Sequence, residues 1–208
     1  MVVFSPIQVR ELGLCDYSPV YEKMCEFSQA RQPDTTDEFW VLEHKPVYTL
    51  GLNGKKEHIL NAGDIPVVQV DRGGQVTYHG PGQLIVYLLI DIKRNALGVR
   101  AIVTAMENAI IALLANMNIQ AEAKRDAPGV YVKEKKIAAL GLRIKNGKSY
   151  HGLSLNVDMD LEPFKGINPC GYEGLDVTQI KDLNMQYSKE IITTNLLKHL
   201  KQNLNYEY

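Results

Sequence analysis

The run over residues 71–92, DRGGQVTYHGPGQLIVYLLIDI, constrains this chain more than any other stretch. Its second half, residues 84–90, is apolar at every position. A strand that hides both of its faces reads this way, and the run is far too short to span a membrane. Its first half is a glycine-dense loop. Gly73, Gly74, Gly80 and Gly82 lack a Cβ, so the backbone there can turn sharply and approach a ligand closely. A polar loop that feeds directly into the most buried strand is a natural place to hold a substrate.

The pattern on either side predicts one α+β domain over residues 1–208, a mixed β-sheet flanked by helices. Ile7 and Val9 alternate with Gln8 and Arg10, as in an edge strand or extended arm. Ser18-Pro19 reads as an N-cap with proline in the first turn, opening a helix to about Arg31 on Val20, Met24 and Phe27. Residues 39–43 and 47–50 read as strands broken at Pro46, with His44 in a structural role, and 65–70 as a short strand. From Val99, the spacing of Ile102, Val103, Met106, Ile110, Leu113 and Met117 marks an amphipathic helix packed on a sheet. Lys145-Asn146-Gly147-Lys148 is a strong hairpin signal and pairs 136–144 with 149–157. Ile192, Leu196, Leu197, Leu200 and Leu204 close the chain with a last amphipathic helix.

The charges nearly cancel, with 23 basic and 24 acidic residues, so neither nucleic acid nor an anionic membrane is indicated as a partner. The first residues lack a basic stretch followed by an apolar one, so no signal peptide is read. Three cysteines are too few and too scattered for a disulfide framework or a zinc site, and a reducing cytoplasm is the expected setting. The five histidines show no metal-ligand spacing, and no G-x-S-x-G elbow is present. No metal is expected. Cys25, within a helix, and Cys15, in a loop, read as small buried hydrophobes. Cys170 lies between Pro169 and Gly171, where the backbone is constrained while the side chain need not be packed. It is the candidate nucleophile, but a thiol is mostly protonated at neutral pH and needs a nearby cation. Lys133, Lys135, Lys136 and Lys148 all flank the hairpin, and spacing singles out none of them.

RGGQVTYHGPGQ at 72–83 resembles the signature of the lipoyl(octanoyl) transferases. EHKPVYTLG at 43–51, KIAALGLRI at 136–144 and HGLSLNVDMDLEPFKGINPCG at 151–171 resemble further motifs of that family, in the family's order. The resemblance covers most of the chain. It implies the fold of the catalytic domain of biotin and lipoate protein ligases, with Cys170 as nucleophile and Lys136 as its catalytic lysine. It also implies that Arg72, Gly73, Gly74, Gln75, Val76, Thr77, Tyr78, His79, Ala139, Leu140, Gly141, Gly152, Leu153 and Ser154 wall an acyl-binding tunnel. Tyr78 and His79 would be its polar contacts near the thioester, His79 as a hydrogen-bonded anchor of the loop rather than a base.

The implied reaction moves an octanoyl group from octanoyl-acyl carrier protein to Cys170, then to a lysine of a lipoyl domain. The acceptors implied are 2-oxoacid dehydrogenase acyltransferase subunits and the glycine cleavage H protein. No cofactor is needed, and a monomer is expected. Burying the tail's methylene and methyl groups, roughly seven in number, contributes at most about 5 kcal/mol at ~0.8 kcal/mol each. Oxyanion donors fall at the backbone N–H groups of Leu140-Gly141 or of Gly152-Leu153, and both remain open. The alternative is an ATP-dependent lipoate or octanoate ligase. A ligase needs no cysteine nucleophile, and here the glycine-rich loop runs into a strand where a nucleotide fingerprint requires a helix.

Overall fold

The computed structural model describes residues 6–94, 96–183 and 188–207, with Cys170 through its backbone alone. Ten strands form among the described residues. They are β1 (Ile7–Cys15), β2 (Asp37–His44), β3 (Val47–Leu50), β4 (Val67–Gln69), β5 (Val76–His79), β6 (Gln83–Leu89), β7 (Glu122–Ala123), β8 (Val130–Val132), β9 (Lys135–Lys145) and β10 (Lys148–Asn156). Three α-helices accompany them: α1 (Tyr17–Ala30), α2 (Val99–Asn116) and α3 (Lys189–Asn203).

A seven-stranded sheet runs β1-β2-β6-β10-β9-β8-β7, parallel between β1 and β2 and antiparallel elsewhere. The apolar run is its centre, because each face of β6 is covered. Leu84, Val86, Leu88 and Ile90 join Ile102, Met106 and Ile110 of α2 and Ile192, Leu196 and Leu200 of α3 in one core. Ile85, Tyr87 and Leu89 point the other way, into a second core with Val20 and Met24 of α1. Strand alternation therefore turns an unbroken apolar segment into the shared wall of two cores. Helix α2 is long and apolar enough to cross a membrane by composition, but its apolar stripe is spent on this sheet.

A second, three-stranded sheet, β4-β3-β5, stands beside the first. Its strand β5 lies inside the segment that reads in sequence as a glycine-rich loop. Val76 to His79 pair antiparallel with Leu50 to Val47, and all four residues are buried. Tertiary pairing overrides the glycines on either side of this four-residue run. The hairpin forms at the expected turn, with Asn146 and Gly147 both at positive φ (53° and 79°).

Two local expectations are corrected. Helix α1 starts at Tyr17 with Asp16 as the cap position, so Ser18 and Pro19 lie inside its first turn. The buried Tyr17 ring, 4.8 Å from His44, fixes that start instead of a side-chain cap. Cys15 is the last residue of β1, half-buried, with its thiol 3.1 Å from the Leu12 carbonyl.

Gly82 ties the loop to the far end of β10. Its N–H donates to Glu43 at 2.6 Å, and its carbonyl accepts from the N–H groups of Val157 and Asp158 at 3.3 and 3.1 Å. At φ +84°, a Cβ there would come within 1.7 Å of the Asp158 carbonyl oxygen. Gly82→Ala is therefore expected to destabilise the fold by about 1–3 kcal/mol or more, read as a lowered Tm against wild type. An unchanged Tm would show that this junction carries no constraint.

Candidate active site

The two sheets meet along a slot walled by β5, β6, β9, β10, the loop before β5 and Tyr17 of α1. Backbone pairing sets that loop in place. Gly51 N–H donates to the Gln75 carbonyl at 3.2 Å, Leu52 N–H to that of Arg72 at 2.9 Å, and Gly73 N–H to that of Leu142 at 3.0 Å. The buried Arg72 guanidinium donates to the Thr49 carbonyl (2.7 Å), the Thr49 hydroxyl (2.8 Å) and the Gly73 carbonyl (3.0 Å). A Cβ on Gly51 would lie 2.3 Å from the Gly74 oxygen, which explains why glycine stands there.

The cavity between these walls is narrow, about 50 Å³. Arg72, Gly74, Gln75, Val76, Thr77, His79, Ala139, Leu140, Gly141, Gly152, Leu153 and Ser154 all line it. Two residues expected there do not. Gly73 lies on an adjoining outer cleft. Tyr78 faces the opposite side of β5, packed on Tyr48 and edge-on to Phe164, with ring centroids 5.5 and 5.4 Å away. The alternation of β5 accounts for this, since Thr77 and His79 share one face and Tyr78 takes the other. Burial and then Asp160 push the Tyr78 hydroxyl up to about 12. Tyr17, Ile85, Tyr87 and His151 also line the slot. Of these, only His151 falls within one of the family motifs, as the first residue of 151–171.

Deep in the slot the side chains are aromatic and polar at once. His79 Nδ1 lies 2.7 Å from the Gln83 side-chain oxygen, and Nε2 is 3.4 Å from the Thr49 hydroxyl. The ring is thereby anchored at both nitrogens. His44 sits just behind, with Nε2 2.7 Å from the Tyr87 hydroxyl and Nδ1 3.2 Å from the Cys15 carbonyl. His151 has φ +60°, a left-handed conformation rare for a residue with a side chain, and its ring is buried. Its Nε2 reaches Asp71 at 3.3 Å. The same carboxylate accepts from the hydroxyls of Tyr21 (3.0 Å) and Tyr150, and lies 3.5 Å from Arg143 Nε. Burial raises the Asp71 pKa, but the hydrogen bonds from His151, Tyr150 and Tyr21 outweigh it and hold the group below the usual carboxylate range.

Lys136 lines neither the slot nor the outer cleft beside it, and lies behind the Pro128 loop that borders that cleft. Its neighbour Lys135 is exposed, as a strand-end lysine usually is, but Lys136 is only 3% exposed. Its amine donates to the Pro128 carbonyl at 3.1 Å and lies 5.3 Å above the Tyr131 ring. Gly129 makes room for it, because a Cβ there would meet Lys136 Cε at 2.7 Å. On the other side, Lys136 N–H donates to the Asp176 carbonyl and its own carbonyl accepts from Thr178 N–H.

The backbone of Cys170 forms one 3-10 turn, Pro169–Gly171, while its side chain lies outside the described residues. Gly171 abuts the Gln75 side chain at the slot's mouth. The Tyr172 hydroxyl donates to the Asp126 carbonyl at 2.9 Å, on the same loop that holds the Lys136 amine. Cys15 and Cys25 are half-buried elsewhere, and neither lines the slot. Among the described residues, no cluster of three metal-ligating side chains occurs.

The description "Lipoyl protein ligase A/B catalytic domain" belongs to the family model that matches residues 21–201. The chain is 57% identical over 197 residues to an octanoyltransferase of Pseudomonas putida (strain GB-1), covering 95% of this chain and 92% of that one. It is 62% identical over 179 residues to an octanoyltransferase of Shewanella sp. (strain W3-18-1), covering 86% and 82%. Among solved structures, a bipartite lipoate protein ligase from Thermoplasma acidophilum superposes with a TM-score of 0.71 at 14% identity, over 98% of this chain and 86% of that one. The apo biotin protein ligase from Aquifex aeolicus gives a TM-score of 0.57 at 12% identity, over 97% and 69%. These two share the fold.

The buried histidines make the site acid-sensitive. Burial lowers His44 to about 4 and, with the neighbouring His44, lowers His79 to about 3. Both stay neutral when folded but bind protons when unfolded, near their ordinary ~6.5. Their stabilising contribution is thus complete above ~6.5 and is lost as pH falls toward those folded values. Tm is expected to drop between pH 6.5 and 4, and His79→Gln is expected to flatten that slope. A variant with the wild-type slope would exclude His79 as a source of it.

Proposed function

The chain belongs to the lipoyl protein ligase A/B catalytic-domain family, and we propose that it takes its octanoyl group from an acyl carrier protein and passes it through a thioester on Cys170. It is an acyltransferase that moves an octanoyl group in protein lipoylation. The observation that carries the proposed chemistry is the burial of Lys136. An amine removed from water, held by one carbonyl and one aromatic face, is suited to act on a partner at the slot's mouth.

In the first half-reaction the Cys170 sulfur attacks the donor thioester carbon, with Lys136 stabilising the thiolate or taking its proton. The C–S bond to the carrier breaks, and the carrier's sulfur leaves with a proton. The acyl group then rests on Cys170 as a second thioester, close in energy to the first. In the second half-reaction the amine of a lipoyl-domain lysine attacks the same carbon. Cys170 leaves as thiolate, and the proton shed by the nitrogen returns to the Lys136–Cys170 pair. The product is an amide, a far poorer acyl donor, so the sequence runs downhill without ATP. The narrow slot behind, with Ile85, Val76 and Leu140 on its walls, receives the tail.

The oxyanion donor we assign is the Leu140 N–H. Leu142 of β9 bonds on the edge away from β10, where its carbonyl accepts from Gly73 N–H, and the β8 pairing of that edge ends at Ala138. Alternation directs Leu140 N–H to that same edge. Gly152 and Leu153, by contrast, lie in β10 between two paired strands, opposite Tyr87 and Val86 on one side and Gly141 and Leu140 on the other. We take the acceptors to be lipoyl domains of 2-oxoacid dehydrogenase acyltransferase subunits and the glycine cleavage H protein, and the enzyme to act as a cytoplasmic monomer.

Intact mass spectrometry after mixing with octanoyl-acyl carrier protein, without ATP, tests this reading. One octanoyl group is expected on wild type, none on Cys170→Ala, and transfer to an added lipoyl domain. Lys136→Ala is expected to slow acylation by about 10²–10⁴-fold, and Cys25→Ala to leave it intact. Transfer that starts only when ATP and free octanoate are supplied would replace this reading with a ligase.

A further inference from the structure

A second cleft of about 580 Å³ opens outward from the acyl slot. The two are continuous, because Gly74, Gln75, Leu140 and Gly141 border both. Its walls are mostly apolar, with Val99 and Val103 of α2 facing Leu140 and Leu142 of β9, and Tyr172 closing one end. Val99 and Tyr172 are 48% and 46% exposed, an unusual outlay of apolar surface beside a reaction centre. The Asp126–Pro128 loop forms the third wall, and its two ends accept from Tyr172 and from the Lys136 amine. The cleft thus shares a wall with the loop that holds the Lys136 amine, and Tyr172 at its end follows the Cys170 turn in the chain.

Two charged residues line the cleft. Arg100, in the first turn of α2, and Asp126, on the loop that accepts from Tyr172, are both exposed.

We propose that this cleft receives the phosphopantetheine arm of the donor carrier protein, with the arm's phosphate at Arg100 and its thioester at Lys136. The proposal rests on the acyl-carrier reading given above. Length and chemistry select the occupant. The arm is a thin chain of methylenes and amides ending in one phosphate, which matches an apolar trough with a cation on its wall. The volume falls within the ~300–1,000 Å³ of sites that hold a molecule of that size. A lysine side chain from a lipoyl domain would fill little of it.

Two variants test this without touching the slot or Lys136: Val99→Trp, which fills the trough, and Arg100→Glu, which reverses that residue's charge. Acylation of Cys170 is measured with octanoyl-acyl carrier protein and with octanoyl-N-acetylcysteamine, which has the thioester but neither the long arm nor the phosphate. Both variants are expected to raise KM for the carrier donor about tenfold or more while the short thioester changes by less than about twofold. Transfer from preloaded acyl-enzyme to a lipoyl domain is expected to stay at the wild-type rate. Equal losses with both donors, or no loss with the carrier, would overturn the assignment. A defect confined to the second half-reaction would give the cleft to the acceptor. Wild type that is acylated by neither donor would remove the underlying acyl-carrier reading itself.

Discussion

The segment 71–75 belongs to neither sheet and bonds to both, and the slot exists because of that double attachment. On one side Arg72 and Gln75 are held by Thr49, Gly51 and Leu52 at the end of β3; on the other, Gly73 is held by Leu142 of β9. These contacts reinforce the two short connections that join the sheets, Lys45-Pro46 between β2 and β3 and residues 80–82 between β5 and β6. The Arg72 guanidinium is buried yet gives three hydrogen bonds, so its charge is shared among backbone and hydroxyl oxygens in place of water. Glycine at 51 lets two backbones approach at a distance no side chain allows, and Gly74 takes a φ of +92° that favours glycine.

An apolar acyl slot lined by two histidines and two tyrosines, with a third histidine behind it and a carboxylate nearby, looks contradictory until protonation is considered. Burial keeps His44, His79 and His151 neutral, and it keeps the tyrosine hydroxyls protonated. The ring edges satisfy one another, as in the Tyr87–His44 and His79–Gln83 bonds, and leave ring faces toward the cavity. The one full negative charge, on Asp71, is drawn to the outer side by Tyr21, Tyr150, His151 and Arg143. The left-handed backbone at His151 turns its ring to serve both Asp71 and the slot wall, and strain of order 1–3 kcal/mol is the usual cost of such a residue. Rigid aromatic walls define a bore better than flexible aliphatic ones, because they have fewer rotamers to fill it with.

Patterns with a local cause were legible in the chain. The unbroken apolar run gave away β6 because covering both faces of a strand requires it. The Asn-Gly turn and the periodic helices α2 and α3 lie where their spacing put them. Most of the slot's lining followed the motifs, since three of them are contiguous stretches of its wall. What stayed hidden depends on pairing across the chain. Strand β5 is four residues long between glycines, and only its partner β3 makes it a strand. That pairing then decides which of Tyr78 and His79 enters the slot. Tyr17 reaches the cavity from a distant helix, and nothing in its local sequence says so. Burial of Lys136 beside an exposed Lys135 likewise depends on the Pro128-Gly129 loop folding over it.

The shared fold with lipoate and biotin ligases, at 11–14% identity, separates what the scaffold provides from what the site decides. A double-sheet scaffold with a tail slot serves any enzyme that must hold a short fatty acid while its carboxyl carbon reacts at the mouth. The choice between activating that carbon with ATP and receiving it already activated lies in the few groups around the mouth. A ligase must gather a triphosphate and its metal there. In this chain the described residues near the mouth include a buried amine, an aromatic ring beneath it, and an apolar trough also lined by Arg100 and Asp126. On the proposed chemistry, the energy of the donor thioester is conserved on Cys170, so the site needs no machinery to create it. Such a site has only to admit two thin chains in turn, a carrier arm and then a lysine, and to keep water from the acyl-enzyme between them.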